Sequence, residues 1–171
     1  MLDALVVVVF PLLMIFACLS DLLTQLIPNR ISILLFFTFC VLAFLLRISW
    51  QDFGLHVACG FGFLSFAFAL FSLGWIGGGD GKLASGVALW FGFPMLLEFM
   101  VTVSLYGGAL ALVLLAFRRL PLPSPLTTIG WIVRLHDEKG PVPYGIAIAL
   151  AGLQLYPQSI IWVTYMQSGI R

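Results

Sequence analysis

Long stretches without a single charged side chain are what most restrict how this chain can fold. They cover residues 4–20, 31–46, 53–79, 83–97, 99–117 and 140–170. A helix needs about 17–25 mostly apolar residues to cross the hydrocarbon of a bilayer. Four of the stretches meet that length, residues 31–46 fall just short, and residues 83–97 are short and carry Gly92 and Pro94. The pattern predicts one all-α domain over residues 1–171, a polytopic transmembrane bundle of about six spans. Residues 83–97 are its thin, tilted or re-entrant member. Only 9% of the residues are charged, against about a quarter in soluble domains, so the lipid bilayer is the expected solvent. A net charge of +1 excludes a basic nucleic-acid surface.

The basic residues orient the spans. With the N-terminus outside, the inner loops hold Arg30, Lys82, Arg118, Arg119, Arg134 and Lys139, and the outer ends hold Arg47 and Arg171. The positive-inside rule then places both termini outside and Asp21 and Asp80 at the cytoplasmic side. Met1-Leu2-Asp3 lacks a basic lead and Pro11 interrupts the following run, so the N-terminus reads as a retained first span. Cys18, Cys40 and Cys59 sit within apolar runs with no C-x-x-C spacing, which fits small buried hydrophobes rather than a disulfide or zinc framework. Residues 118–143, with Pro121, Pro123 and Pro125, form a restricted cytoplasmic loop. Its His136-Asp137-Glu138-Lys139 run is a solvated loop end without the i, i+4 His pair of a zinc peptidase. His56 falls at the outer interface, and no metal or cofactor is expected.

Seven acids are available, and ionisable groups at membrane depth are functional candidates by default. Asp3, Asp52 and Glu98 fit polar ends of outer turns. Asp80 lies in Gly77-Gly78-Gly79-Asp80-Gly81-Lys82. Four glycines around one acid disfavour a helix by about 1 kcal/mol each relative to Ala, and what they offer is close approach of another backbone to the carboxylate. Lys82 suits an interfacial anchor. Asp21 precedes Ile27-Pro28-Asn29, a turn signal that returns the chain to the bilayer.

These residues resemble a known family, the type IV prepilin peptidases, in particular the short forms that serve Flp-type (tight-adherence) pili. Asp21 with Ile27-Pro28-Asn29, the G-x-G-D of Gly77-Gly78-Gly79-Asp80 with Lys82, and Pro141-Val142-Pro143-Tyr144-Gly145 carry the resemblance. It implies a bacterial inner-membrane aspartic endopeptidase that removes the leader of a prepilin or pseudopilin at the cytoplasmic face. Asp21 and Asp80 would be catalytic. Gly77, Gly78, Gly79, Gly81, Lys82, Pro28, Asn29, Pro143, Tyr144 and Gly145 would shape the site or bind substrate. The four-Cys cytoplasmic insert of the methylating members is absent, so no zinc-binding or methyltransferase domain is expected. Basic residues that the family often carries after the first aspartate are replaced by Leu22, Leu23, Thr24, Gln25 and Leu26.

Two carboxylates sharing a site do not both ionise easily, so one keeps its proton while the other acts as a base on water. Two other functions remain open on the residues: a different G-x-G-D protease that cuts within membrane helices, and a non-enzymatic small transporter or pilus-assembly scaffold. A transporter would favour an inverted repeat and acids at mid-span, and the sequence has neither.

Overall fold

The structure, a computed structural model, describes residues 3 and 5–168. It is all-α, with no strand among the described residues. Helix α1 (Phe10–Thr24) is entered through a π-helical turn, Leu5–Val9. It is followed by α2 (Asn29–Leu45), α3 (Trp50–Ser72), α4 (Gly78–Arg119), the short α5 (Gly130–His136), α6 (Tyr144–Leu155) and α7 (Ile160–Gln167). Leu5–Thr24, Trp50–Ser72, Gly78–Arg119 and Tyr144–Gln167 are long and apolar enough to cross a membrane, and α2 is a shorter apolar helix of 17 residues. Large apolar side chains such as Phe44, Phe68 and Leu112 are exposed on the outside of the bundle, as a lipid solvent requires.

Local chemistry sets the helix starts. Pro28 is extended just before α2, a position where proline costs the helix no hydrogen bond. Ser49 caps α3 by accepting the Asp52 N–H at 3.1 Å, and its hydroxyl donates to Asp52 Oδ2 at 2.6 Å. Asp52 is thereby accounted for as part of a helix cap.

Helix α4 differs most from expectation. The sequence pattern divides it at Glu98, but the helix breaks at Gly92, whose φ of 64° and ψ of −178° lie outside helical space. That conformation is essentially restricted to glycine. In a straight helix, Asp80 and Ser104 would stand about 36 Å apart at 1.5 Å per residue, yet both line one cavity. Likewise Tyr144 packs on Gly107 while its neighbour Gly145 touches Asp21. The two arms of α4 therefore fold back alongside each other at Gly92. The N-terminal arm is buried from Leu83 to Gly92 and forms the centre of the bundle. Neighbouring helices shield it from lipid, which explains why this stretch is short and rich in Ala, Ser and Gly.

Trp90 anchors the arm. Its ring lies 4.7 Å from Phe10 of α1 and 5.9 Å from Phe39 of α2, and its indole N–H donates to the Leu35 carbonyl at 3.0 Å. Phe10 in turn stacks on Tyr156, at the end of α6, at 4.6 Å. His56, expected at the interface, is instead buried against the break. Its Nδ1 donates to the Leu89 carbonyl at 2.8 Å and its ring stacks on Phe39. The imidazole thus ties α3 to the turn of α4 just before the break.

Candidate active site

Helix α1 carries Asp21 in its last turns. The helix ends because Gln25 adopts a left-handed conformation (φ 54°) and returns its N–H to the Asp21 carbonyl at 2.9 Å. The Ser20 hydroxyl donates to the Leu26 carbonyl at 2.8 Å and the Thr24 hydroxyl to the Ser20 carbonyl at 2.7 Å, so the exposed end of the helix is closed by side chains. The chain then turns through Ile27 and Pro28 into α2. Asp80 stands in the first turn of α4, where Gly77 is the cap residue. Pro143 caps α6, which places Tyr144, Gly145 and Ile146 in the first helical turn, whose N–H groups have no intrahelical partner.

These three helix ends converge. The Gly145 N–H donates to Asp21 Oδ2 at 2.7 Å. Asp80 lines the same cavity as Tyr144, the residue before Gly145, and its neighbour Gly79 packs on Ile27, which also touches Gly145. Two carboxyl groups from distant parts of the chain thus meet at the N-terminus of α6, where the helix dipole favours negative charge. Gly145 is required by the contact, since a Cβ there would stand 2.7 Å from Asp21 Oδ2 and from Ile27 Cδ1.

The glycines around Asp80 serve the protein's own packing. The space a Cβ would take is met at Gly77 by the Asp80 carboxylate, at Gly78 by Phe71, at Gly79 by Ile27 and at Gly81 by Ala67. The sequence predicts close approach of another backbone to the carboxylate, and Gly77 and Gly81 do line the cavity beside Asp80. In the structure these positions let α3 and the Ile27 segment close onto the start of α4. Ile27 touches both Gly79 and Gly145, so it is the side chain that joins all three motifs. Lys82, expected as an interfacial anchor, donates from Nζ to Asn29 Oδ1 at 3.0 Å.

The two aspartates are not equivalent. Asp21 is only 5% exposed. Asp80 lines a cavity of about 670 Å³ together with Phe63, Phe66 and Leu70 of α3 and Met100 and Val103 of the second arm of α4. Gly77, Gly81 and Tyr144 share this wall, and Asp80 is the charged residue on it. The cavity is an apolar slot with one carboxyl group at one end.

Two arginines near the site were not distinguished by the sequence pattern from ordinary positive-inside residues. Arg118, 8% exposed, donates from Nε to the Leu135 carbonyl at 2.8 Å and from a terminal nitrogen to the Pro141 carbonyl at 3.2 Å. Arg134 donates to the Leu23 carbonyl at the end of α1. The loop segment is thereby tied to the end of the helix bearing Asp21 and to the lead-in to Gly145. The burial of Arg118 and the carbonyl partners of both, which only the fold supplies, set these two apart.

Among the described residues, no group of three or more His, Cys, Asp or Glu side chains is placed to hold a metal ion. Two neighbouring carboxyl groups, one bonded to a backbone amide and the other on the wall of an apolar cavity, have the parts of acid–base hydrolysis: one carboxylate to take a proton and one carboxylic acid to give one. A model of the type IV leader peptidase family matches residues 8–112, more than half of the chain. The matched region contains both acidic motifs and ends before Pro143-Tyr144-Gly145. No curated protein and no solved structure gives a significant match.

Proposed function

Because the chain belongs to the type IV leader peptidase family, we propose that it is an aspartic endopeptidase that removes the leader of Flp-type prepilins, with Asp21 and Asp80 as its catalytic pair. The observation that carries this reading is that Ile27 joins the two acidic segments, touching Gly79 beside Asp80 and Gly145, whose N–H donates to Asp21. One carboxylate takes a proton from water as the water oxygen attacks the scissile carbonyl. The other, protonated, donates to the oxygen on which charge develops. Collapse of the tetrahedral intermediate breaks the C–N bond, and the proton gained by the base passes to the leaving amine. The step requires no metal and no covalent intermediate.

The apolar slot beside Asp80 suits the hydrophobic helix of a prepilin, whose leader junction would then lie next to the pair. The inner leaflet of the bacterial cytoplasmic membrane is the matching location, with the acidic motifs at the cytoplasmic face. A cut within a membrane helix, the alternative for a G-x-G-D protease, fits less well. Both carboxyl groups sit at helix ends, Asp21 in the last turns of α1 and Asp80 in the first turn of α4.

The test is purified protein in liposomes with a Flp-type prepilin, read by intact mass of the products. The expected result is two fragments that add up to the substrate plus one water, separated at the start of the hydrophobic segment. Intact prepilin, or fragments cut within the hydrophobic segment, would refute the assignment.

A further inference from the structure

Lys82 and Asn29 belong to different motifs, 53 positions apart, and their side chains are joined by a hydrogen bond of 3.0 Å. Each stands two residues beyond a residue of the site: Lys82 beyond Asp80, and Asn29 beyond Ile27, which packs on both Gly79 and Gly145. We propose that this bond is a clasp that sets the register of the two aspartate-bearing segments, and that Lys82 and Asn29 are positioning residues rather than a membrane anchor and a turn former. The inference rests on the catalytic reading of Asp21 and Asp80 given above.

The geometry supports a clasp in three ways. First, α1 and α4 approach the site from opposite chain ends, one finishing and one starting there. Their main links nearby are the Ile27 side chain, which slides on glycine surfaces, and the Gly145 amide, which belongs to a third helix. An ammonium donating to a side-chain amide is directional, and at the aspartate end of the α2–α4 contact it adds to the Trp90 bond to the Leu35 carbonyl further along. Second, Asn29 is the first residue of α2, directly after the extended Pro28. Its backbone is therefore held by helix and proline geometry, so a pull on its side chain is transmitted to Ile27. Third, Lys82 Nζ is engaged by Asn29 Oδ1 on another helix rather than by Asp80. Lys82 therefore does not act as a direct counter-ion, and its effect on the site passes through position. A lysine serving only to reach the lipid headgroups would need no partner on another helix.

The experiment compares prepilin cleavage by Lys82→Met, Asn29→Ala, their double variant and Asn29→Asp, each with kcat and KM separated and abundance and melting temperature recorded. Misplacing a reacting group by about 1 Å costs about a hundredfold. The clasp therefore predicts that Lys82→Met and Asn29→Ala each lower kcat by about 10- to 100-fold with KM little changed. The double variant should be no worse than the poorer single one, as partners of one bond are non-additive. Asn29→Asp should keep near wild-type kcat, because a carboxylate accepts from the ammonium at least as well as an amide does. Should Lys82→Met fail to insert, the Asn29→Ala and Asn29→Asp pair carries the test alone. Wild-type kcat in Asn29→Ala, equal loss in Asn29→Ala and Asn29→Asp, or multiplicative loss in the double variant overturns the clasp. Asp80→Asn is run beside them: if it cleaves normally, the catalytic reading itself has failed, whereas an inactive Asp80→Asn with a normal Asn29→Ala removes only the clasp.

Discussion

Asp21 is held by the backbone N–H of Gly145, and Asp80 faces the apolar slot. Gly145 meets both Asp21 and Ile27, the side chain that reaches the Asp80 segment, so position 145 gives the sharpest test at the level of a single residue. Gly145→Ala places a methyl group 2.7 Å from Asp21 Oδ2 and Ile27 Cδ1. Both must shift, at a cost of about 1–3 kcal/mol in stability, and the predicted loss in prepilin cleavage is about a hundredfold. Gly108→Ala, where nothing lies within 4 Å of the added carbon, should cleave normally; the measurement is cleavage rate normalised to membrane abundance. The aspartates themselves were legible in the sequence, because acids are rare in so apolar a chain and these two had unusual surroundings. The purpose of the glycines was not. Four glycines around an acid signal close approach, but only the fold shows that Phe71, Ile27, Ala67 and Asp80 itself do the approaching. Arg118 and Arg134 were counted as inner charges, and nothing in their local sequence marks the carbonyls they meet.

At the scale of elements, apolar length predicted the helices well, since lipid tolerates little else. Charges were a poorer guide to where helices break. Glu98 lies within the second arm of α4, and the reversal is set at Gly92 by a backbone conformation open to glycine. Pro94 follows two residues on, and His56 fills the space beside it. A Cβ at Gly92 would stand 2.7 Å from His56 Nε2. Gly92→Ala should therefore combine backbone strain with a clash and lower stability by about 2–4 kcal/mol. A clear drop in the melting temperature of the detergent-solubilised protein would show this, while an unchanged melt would mean that the reversal is not where stability resides. His56 escaped a sequence reading because a lone histidine near a span end has the same local signature whether it faces headgroups or a broken helix.

For the molecule as a whole, the central arm of α4 is surrounded by the other helices, and the acidic pair lies where α1 ends and α4 and α6 begin. The account predicts residues 22–29 and 120–140 on one side of the membrane and residues 48–52 on the other. Cysteine labelling from each side of the membrane should find the first two groups reactive from the cytoplasm and the third from outside. Labelling of 22–29 and 120–140 from opposite sides would break the pair apart. The most direct measurement is prepilin cleavage by Asp21→Asn and by Asp80→Asn, with the peptidase blotted in the same membranes. Asparagine is nearly isosteric with aspartate but cannot exchange a proton as acid or base. Each variant should insert at normal abundance and lose activity by about a thousandfold or more, roughly 4 kcal/mol at 1.36 kcal/mol per tenfold. Cleavage near the wild-type rate by either variant would contradict the two-aspartate account.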